Sequence, residues 1–147
     1  MSHSYCNNHL HVVYSTKHRE NLIPAEFENR LYSFVAEIAR EHKIPLLATG
    51  GMPNHSHLLF LLPSAVTLAK AINTFKTNSS RFLRSQGIDF NWQDGYGAFA
   101  VSASQIPKVT AYIRNQREHH KKRSFEQEFL QLLKKANVPY DPKYVFG

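Results

Sequence analysis

Residues 50–62 read Gly-Gly-Met-Pro-Asn-His-Ser-His-Leu-Leu-Phe-Leu-Leu: two glycines and a proline, two histidines one residue apart, then an unbroken apolar run. A run that short and apolar, entered through glycines and a proline, predicts a buried β-strand from His55 to Leu62, with residues 50–54 as the turn into it. Side chains alternate across a strand, so His55 and His57 share one face. Two imidazoles side by side offer a divalent metal two nitrogen ligands. The bland reading is two polar residues hydrogen-bonded at a strand start. Against it, imidazole is costly at the entrance to a buried strand unless it is satisfied.

The rest of the chain fits around that strand. Residues 10–15 alternate, with Leu10, Val12 and Tyr14 on one face, and predict a first strand. Pro24 suits a helix first turn, and Phe27, Leu31, Phe34 and Ile38 then recur at helical spacing to about His42. Ile44 to Thr49 predicts a second strand, ended by Gly50-Gly51. A helix follows from about Val66 to Gln86, with Leu68, Ile72, Phe75, Ser79, Phe82 and Leu83 as its stripe and Gly87 ending it. Tyr96 to Ser102 alternates as a fourth strand after the Asp94-Gly95 turn. Ser104 can cap a third helix, with Pro107 in its first turn, running to about Lys122. Phe125 to Ala136 predicts a fourth.

The order strand, helix, strand, strand, helix, strand, then helices predicts an α+β protein. It is the ferredoxin-like (split βαβ, RRM-like) arrangement, an antiparallel sheet with two helices on one face and its first and third strands adjacent. A C-terminal helix and a further helical tail are added to it. A single domain over residues 1–147 is expected, with a core of about 8–123 and a tail of about 124–147.

At 147 residues, 42% hydrophobic and 20% charged, the chain is large enough to bury a core and is not of disordered composition. Its longest apolar run is far too short to span a bilayer, and Met1-Ser2-His3-Ser4-Tyr5 lacks a signal-peptide pattern. Cys6 is the only cysteine, which excludes an intrachain disulfide and a thiolate metal cage. A cytoplasmic protein is expected, with neither a membrane nor a nucleotide cofactor as partner. The net charge of +7 and pI near 9.6 favour a polyanion.

A second unit, Tyr112-Ile113-Arg114-Asn115-Gln116, sets a tyrosine and a glutamine four residues apart, on one helix face. Ile106, Val109 and Ile113 form the stripe of that helix. Tyr112 and Gln116 fall along its edge, continued by His119 and Arg123. A core-margin tyrosine with a solvated glutamine is the alternative. The chemistry links the two units. A phosphodiester is anionic and repels nucleophiles, so a divalent metal is needed to withdraw charge. Two histidines and a glutamine amide oxygen form a neutral ligand set, and a tyrosine hydroxyl can attack phosphorus to give a covalent phosphotyrosine. His9-Leu10-His11 is a competing His-x-His at a strand start, on a strand expected next to the first pair. Spacing does not choose between them.

Met52-Pro53-Asn54-His55-Ser56-His57-Leu58-Leu59 resembles the HUH motif of the single-tyrosine, insertion-sequence-200-like transposases. Tyr112 to Gln116 resembles the nucleophile helix of that family, and His11-Val12-Val13-Tyr14-Ser15-Thr16-Lys17-His18-Arg19 its opening. The resemblance spans roughly residues 8–120. It implies Tyr112 as nucleophile and His55, His57 and Gln116 as ligands of Mg²⁺ or Mn²⁺. It also implies cleavage and joining of single-stranded DNA, with hairpin-forming ends, through a 5′-phosphotyrosine. A homodimer is implied, in which the tyrosine helix can complete the partner's site. Residues 102–107 form a candidate hinge for that exchange, although the helix can equally fold back on its own sheet. Ser56 departs from the usual hydrophobic residue, and a packing cost is expected there.

DNA-contact candidates are Lys70, Arg81 and Arg84, which lie opposite the stripe of the second helix with Asn73 and Thr77. Arg114, Arg117 and Lys121, with Lys122 and Arg123, lie nearer the tyrosine. A charged face is as readily a solvated one. Trp92, Tyr96 and Phe99 fit base stacking and core packing equally. Two other functions suit parts of the pattern: a noncatalytic nucleic-acid-binding module, and an HUH nickase of the replication or mobilisation type.

Overall fold

His55 to Phe60 are all buried, so the apolar run needs a neighbouring strand on each edge and cover on both faces. It has them. The computed structural model describes residues 3–147, which leaves Met1 and Ser2 of the N-terminal start outside the described residues. The elements are β1 (His9–Ser15), α1 (Glu28–Glu41), β2 (Leu46–Met52), β3 (His55–Leu61), α2 (Leu68–Ser85), β4 (Gly97–Ala100), α3 (Ile106–Arg114), α4 (Gln116–His119) and α5 (Phe125–Lys135). They form an α+β fold around a four-stranded sheet of order β2-β3-β1-β4, every neighbouring pair antiparallel. The first and third strands are adjacent, as expected. No helix among the described residues is long and apolar enough to cross a membrane.

Alternation divides the sheet into two faces. Val12, Tyr14, Leu58 and Phe60 pack against Leu31, Val35 and Ile38 of α1 and Ile72, Phe75 and Leu83 of α2. Burying each such side chain contributes roughly 1.5–3 kcal/mol, which makes this face the main source of stability. Trp92 joins the same core, edge-on to Tyr14 and donating from Nε1 to Ser79 Oγ at 3.0 Å. Thr67 caps α2 by accepting from the Lys70 amide at 3.2 Å. The opposite face holds the histidines and is covered by the C-terminal helices. Ile113 of α3 packs on Ala48, Leu59 and Val101, and Phe125 and Leu133 of α5 pack on Val13 and Phe99. A capping box of Ser124 and Gln127 starts α5.

Several expected boundaries are corrected: the fourth strand is only Gly97–Ala100 within the expected Tyr96 to Ser102, and the second begins at Leu46, not Ile44. The second strand does not stop at Thr49: β2 runs through Gly50 and Gly51 to Met52, and Pro53-Asn54 alone makes the turn. The glycines are there for close approach. A Cβ on Gly50 would overlap the Ile113 carbonyl, and one on Gly51 would meet the Tyr32 hydroxyl and the His55 carbonyl. The third helix does not run unbroken from Ser104 to Lys122. A 3-10 turn at Ala103–Gln105 precedes α3, and Asn115 (φ −103°, ψ 32°) separates α3 from α4. Asparagine leaves a helix at low cost. The break lets Gln116 turn inward, where it is buried.

Candidate metal and nucleophile centre

Register fixes the first part of the site. Ser15 opposes His55 and Val13 opposes His57, so both imidazoles emerge on the face covered by α3–α5, and both are fully buried. His55 Nδ1 donates to Asn54 Oδ1 at 2.7 Å, which turns the lone pair of Nε2 inward. That nitrogen lies 3.3 Å from Gln116 Oε1 and 3.4 Å from Glu128 Oε1. His57 Nε2 lies 3.1 Å from the same carboxylate oxygen, while its Nδ1 shares a hydrogen bond of 2.8 Å with His11 Nε2. His120 Nε2 approaches Gln116 Oε1 at 3.1 Å and Glu128 Oε1 at 3.3 Å.

These groups fit a divalent cation. Ligand atoms of His55, His57 and Glu128 all lie within 4.8 Å of one another. With its proton on Nδ1, His55 presents an acceptor to two acceptor oxygens, an arrangement that repels unless a cation lies among them. Imidazole nitrogen with carboxylate and amide oxygen suits a small divalent metal. Burial, then the neighbouring His57, lowers His11 to about 3, and burial lowers His57 to about 4. Both rings are neutral at neutral pH, as ligation requires. Burial alone would raise the Glu128 carboxyl. Hydrogen bonds with His57 and Tyr112 outweigh it and hold Glu128 ionised, well below the usual carboxylate range.

The tyrosine reaches this cluster from its own chain. Tyr112 Oη donates to Glu128 Oε2 and accepts from Arg123 Nη2 at 2.9 Å. Its ring stacks on His119 at 4.4 Å and stands edge-on to His57 at 5.9 Å. Burial and the hydrogen bond to Glu128 raise its pKa, so the group is held as a phenol. Gln116 Nε2 donates back to the Tyr112 carbonyl at 3.2 Å, which keeps Oε1 turned toward His55.

The four leading sequence candidates, His55, His57, Tyr112 and Gln116, therefore converge. Glu128 and His120 complete the cluster without having been given a role in it by sequence, and Arg123, read on the edge that continues Tyr112 and Gln116, joins them at the phenol. Glu128 had a readable signal: it lies between Phe125 and Leu132 on the buried face of α5, where an unpartnered carboxylate is costly. His120 follows Gln116 by one helical turn. His11 of the competing pair touches His57 and Tyr112 instead of forming a second centre. Ser56 points to the other face and meets the Tyr32 hydroxyl at 2.9 Å, so the expected packing cost is offset by a hydrogen bond.

The basic candidates divide. Lys70, Arg81 and Arg84 lie on α2, across the sheet from Tyr112, and Arg84 donates to the Phe90 carbonyl at 3.1 Å. Arg114 and Arg117 line a polar cleft beside Gln116. Arg117 pairs with Glu28 at 2.5 Å, and Lys121 pairs with Glu118 at 3.0 Å. Phe99 is buried, whereas Tyr96 is exposed.

A His-x-His strand facing a helix tyrosine across a buried carboxylate defines a metal-assisted tyrosine transferase of the HUH type. Residues 4–116 match the family described as Transposase IS200 like, and the chain belongs to that family. It is accordingly an enzyme, a transposase with Tyr112 beside a candidate metal cluster of His55, His57 and Glu128. Two solved structures share the fold. One is a putative transposase from Deinococcus radiodurans R1, at 22% identity and TM-score 0.61, covering 79% of this chain and 96% of that one. The other is a REP-associated tyrosine transposase bound to a REP hairpin, at 17% identity and TM-score 0.55, covering 77% and 70%. No curated protein matches the chain.

Proposed function

We propose that this transposase cleaves and rejoins single-stranded DNA with Tyr112 as nucleophile, and that His55, His57, Gln116 and Glu128 hold Mg²⁺ or Mn²⁺. The observation that carries this reading is Glu128, whose Oε1 faces the histidines while its Oε2 accepts from the Tyr112 hydroxyl. A divalent ion bound there supplies a Lewis acid that draws charge from a nonbridging phosphate oxygen. As Tyr112 Oη forms its bond to phosphorus, its proton passes to Glu128 Oε2. Arg123 Nη2 stays on Oη and offsets the negative charge that develops there. The P–O3′ bond breaks, the 3′ oxygen takes a proton from water, and a 5′-phosphotyrosine remains. Attack by another 3′-hydroxyl reverses the step and rejoins DNA without ATP.

Single-stranded DNA with hairpin-forming ends is the substrate in this reading. A net charge of +7 and the REP hairpin bound by one structural neighbour support it. The ferredoxin-like name suits the observed strand order. The helical tail belongs to the same domain as the core of about 8–123, because Phe125 and Leu133 pack on the sheet. The working assembly is a homodimer.

Covalent capture tests the reading. With labelled single-stranded hairpin DNA and Mg²⁺, the wild type gives a protein–DNA adduct stable to denaturant and Tyr112→Phe gives none. DNA binding by the wild type without an adduct marks a noncatalytic module, and an undiminished adduct in Tyr112→Phe rejects the nucleophile.

A further inference from the structure

A cavity of about 260 Å³ opens between α3 and α5, and Tyr112 forms part of its wall. Lys108 of α3, Lys135 of α5 and Arg123 of the intervening loop also line it. Arg123 is held toward the tyrosine, donating to Tyr112 Oη and to Gln131 Oε1. Lys108 and Lys135 are exposed, and among the described residues neither makes an ion pair. The only carboxylate in the lining, Glu128, is buried and already engaged by the histidines and Tyr112. Three cations therefore face the space beside the nucleophile with no free counter-charge.

We propose that this cavity seats the sugar–phosphate backbone of the single-stranded DNA next to Tyr112, with Lys108 and Lys135 as its phosphate contacts. The inference rests on the reading of Tyr112 as nucleophile and adds the residues that deliver the strand to it. At about 260 Å³ the cavity falls just below the roughly 300–1,000 Å³ of small-molecule pockets, room for one sugar–phosphate unit. Val109 and Leu132 give the lining an apolar side against which a deoxyribose can pack. The polar cleft by Arg114 and Arg117 is a poorer seat for an anion, because Glu28 and Glu118 line it too. The basic face of α2 is on the wrong side of the sheet. Lys135 and Arg123 lie beyond residues 4–116, so the seat is built partly outside the family-matched segment.

The test compares neighbours on one helix. Lys135→Ala and Lys134→Ala remove the same charge from adjacent exposed positions of α5, and only Lys135 lines the cavity. Binding of a fluorescent single-stranded oligonucleotide is followed by anisotropy across a salt series, in chelator so that no cleavage occurs. Each lost phosphate contact lowers the slope of log K against log salt by about 0.7 for a single strand. Lys135→Ala and Lys108→Ala should each lose about that much, their double variant about twice as much, and Lys134→Ala none. Lys135→Arg should restore the slope. Equal slopes for Lys135→Ala and Lys134→Ala, or an unchanged slope in the Lys108→Ala/Lys135→Ala double variant, would overturn the proposal. Adduct yield measured separately with Mg²⁺ reports on the nucleophile. A failed seat leaves the wild-type adduct intact, whereas a failed nucleophile removes the adduct and leaves the slopes readable.

Discussion

Glu128 ties Tyr112 to His57: one carboxylate oxygen accepts from the phenol, and the other lies 3.1 Å from the imidazole Nε2. The link comes from α5, a helix outside the family-matched residues 4–116. Nucleophile and metal cluster are thereby held by a single buried side chain. Glu128→Gln keeps the volume and removes both the charge and the proton acceptor. General-base contributions are typically 10²–10⁴-fold, and the rate of adduct formation should fall by about that range. Mn²⁺ affinity, read by calorimetry, should fall about tenfold or more. An unchanged adduct rate would reduce Glu128 to a packing role.

The two His-x-His pairs should behave differently, and not as whole pairs. His55→Ala/His57→Ala removes two ligands and should abolish both metal binding and cleavage. Within the other pair, His11 bonds to His57 Nδ1, whereas His9 Nδ1 is buried without a partner. His11→Ala should weaken Mn²⁺ binding by about tenfold through loss of ring orientation, while His9→Ala leaves it unchanged. Metal titrations of the two single variants check this, and equal affinities would dismiss His11 as an orienting group.

How much of this was legible in the sequence follows from which forces are local. Alternation and helical spacing are local, so the succession of elements and the shared face of Leu10, Val12 and Tyr14 were legible, and the split βαβ arrangement then set the first and third strands side by side. The histidine pair and Tyr112 were legible because their chemistry shows in short patterns. The close approach of α3 to β2 was not. Gly50 reads as a turn residue until the Ile113 carbonyl lies against it. Glu128 was missed for the same reason. Its place on the apolar stripe of α5 was readable, but the partners that hold a carboxylate there come together only when the helix is laid on the face that holds His55 and His57. The break at Asn115 serves Gln116, which turns inward because a long-range partner is there.

Alkaline pH should destabilise the other face of the sheet. Burial raises the pKa of Tyr14 and of Tyr32 above the ordinary value of 10.0, and the nearby Ser56 hydroxyl only partly opposes this at Tyr32. The unfolded chain loses these phenol protons near pH 10 while the folded one keeps them. Their contribution is thus complete below pH 10 and lost as pH rises above it. Thermal melting should fall in that range, and Tyr32→Phe should flatten the fall while lowering stability at neutral pH through loss of the 2.9 Å bond with Ser56. Parallel pH profiles for wild type and Tyr32→Phe would rule out Tyr32 as a contributor.

Mixing two inactive variants should not restore activity. If helix exchange between subunits assembled the site, a mixed dimer of Tyr112→Phe and His55→Ala/His57→Ala would contain one intact site, and cleavage would return. In this structure Tyr112 already meets Glu128 and the histidine cluster of its own chain. The candidate hinge at residues 102–107 is pinned on both sides, because Val101 and Ile106 pack in the same cluster as Ile113. Lifting α3 away exposes Ile113, which is fully buried, at a cost of roughly 1.5–3 kcal/mol for that side chain until a partner's sheet buries it again, a barrier that the cis arrangement does not meet. It would also leave Glu128 without the phenol that donates to it. In the cis arrangement every site in the mixture lacks either the nucleophile or the metal ligands, so adduct formation should stay at background after subunits equilibrate. Native mass spectrometry establishes whether mixed dimers are present. Adduct recovered in a sample that contains them would show that α3 leaves its own sheet in the cleaving state.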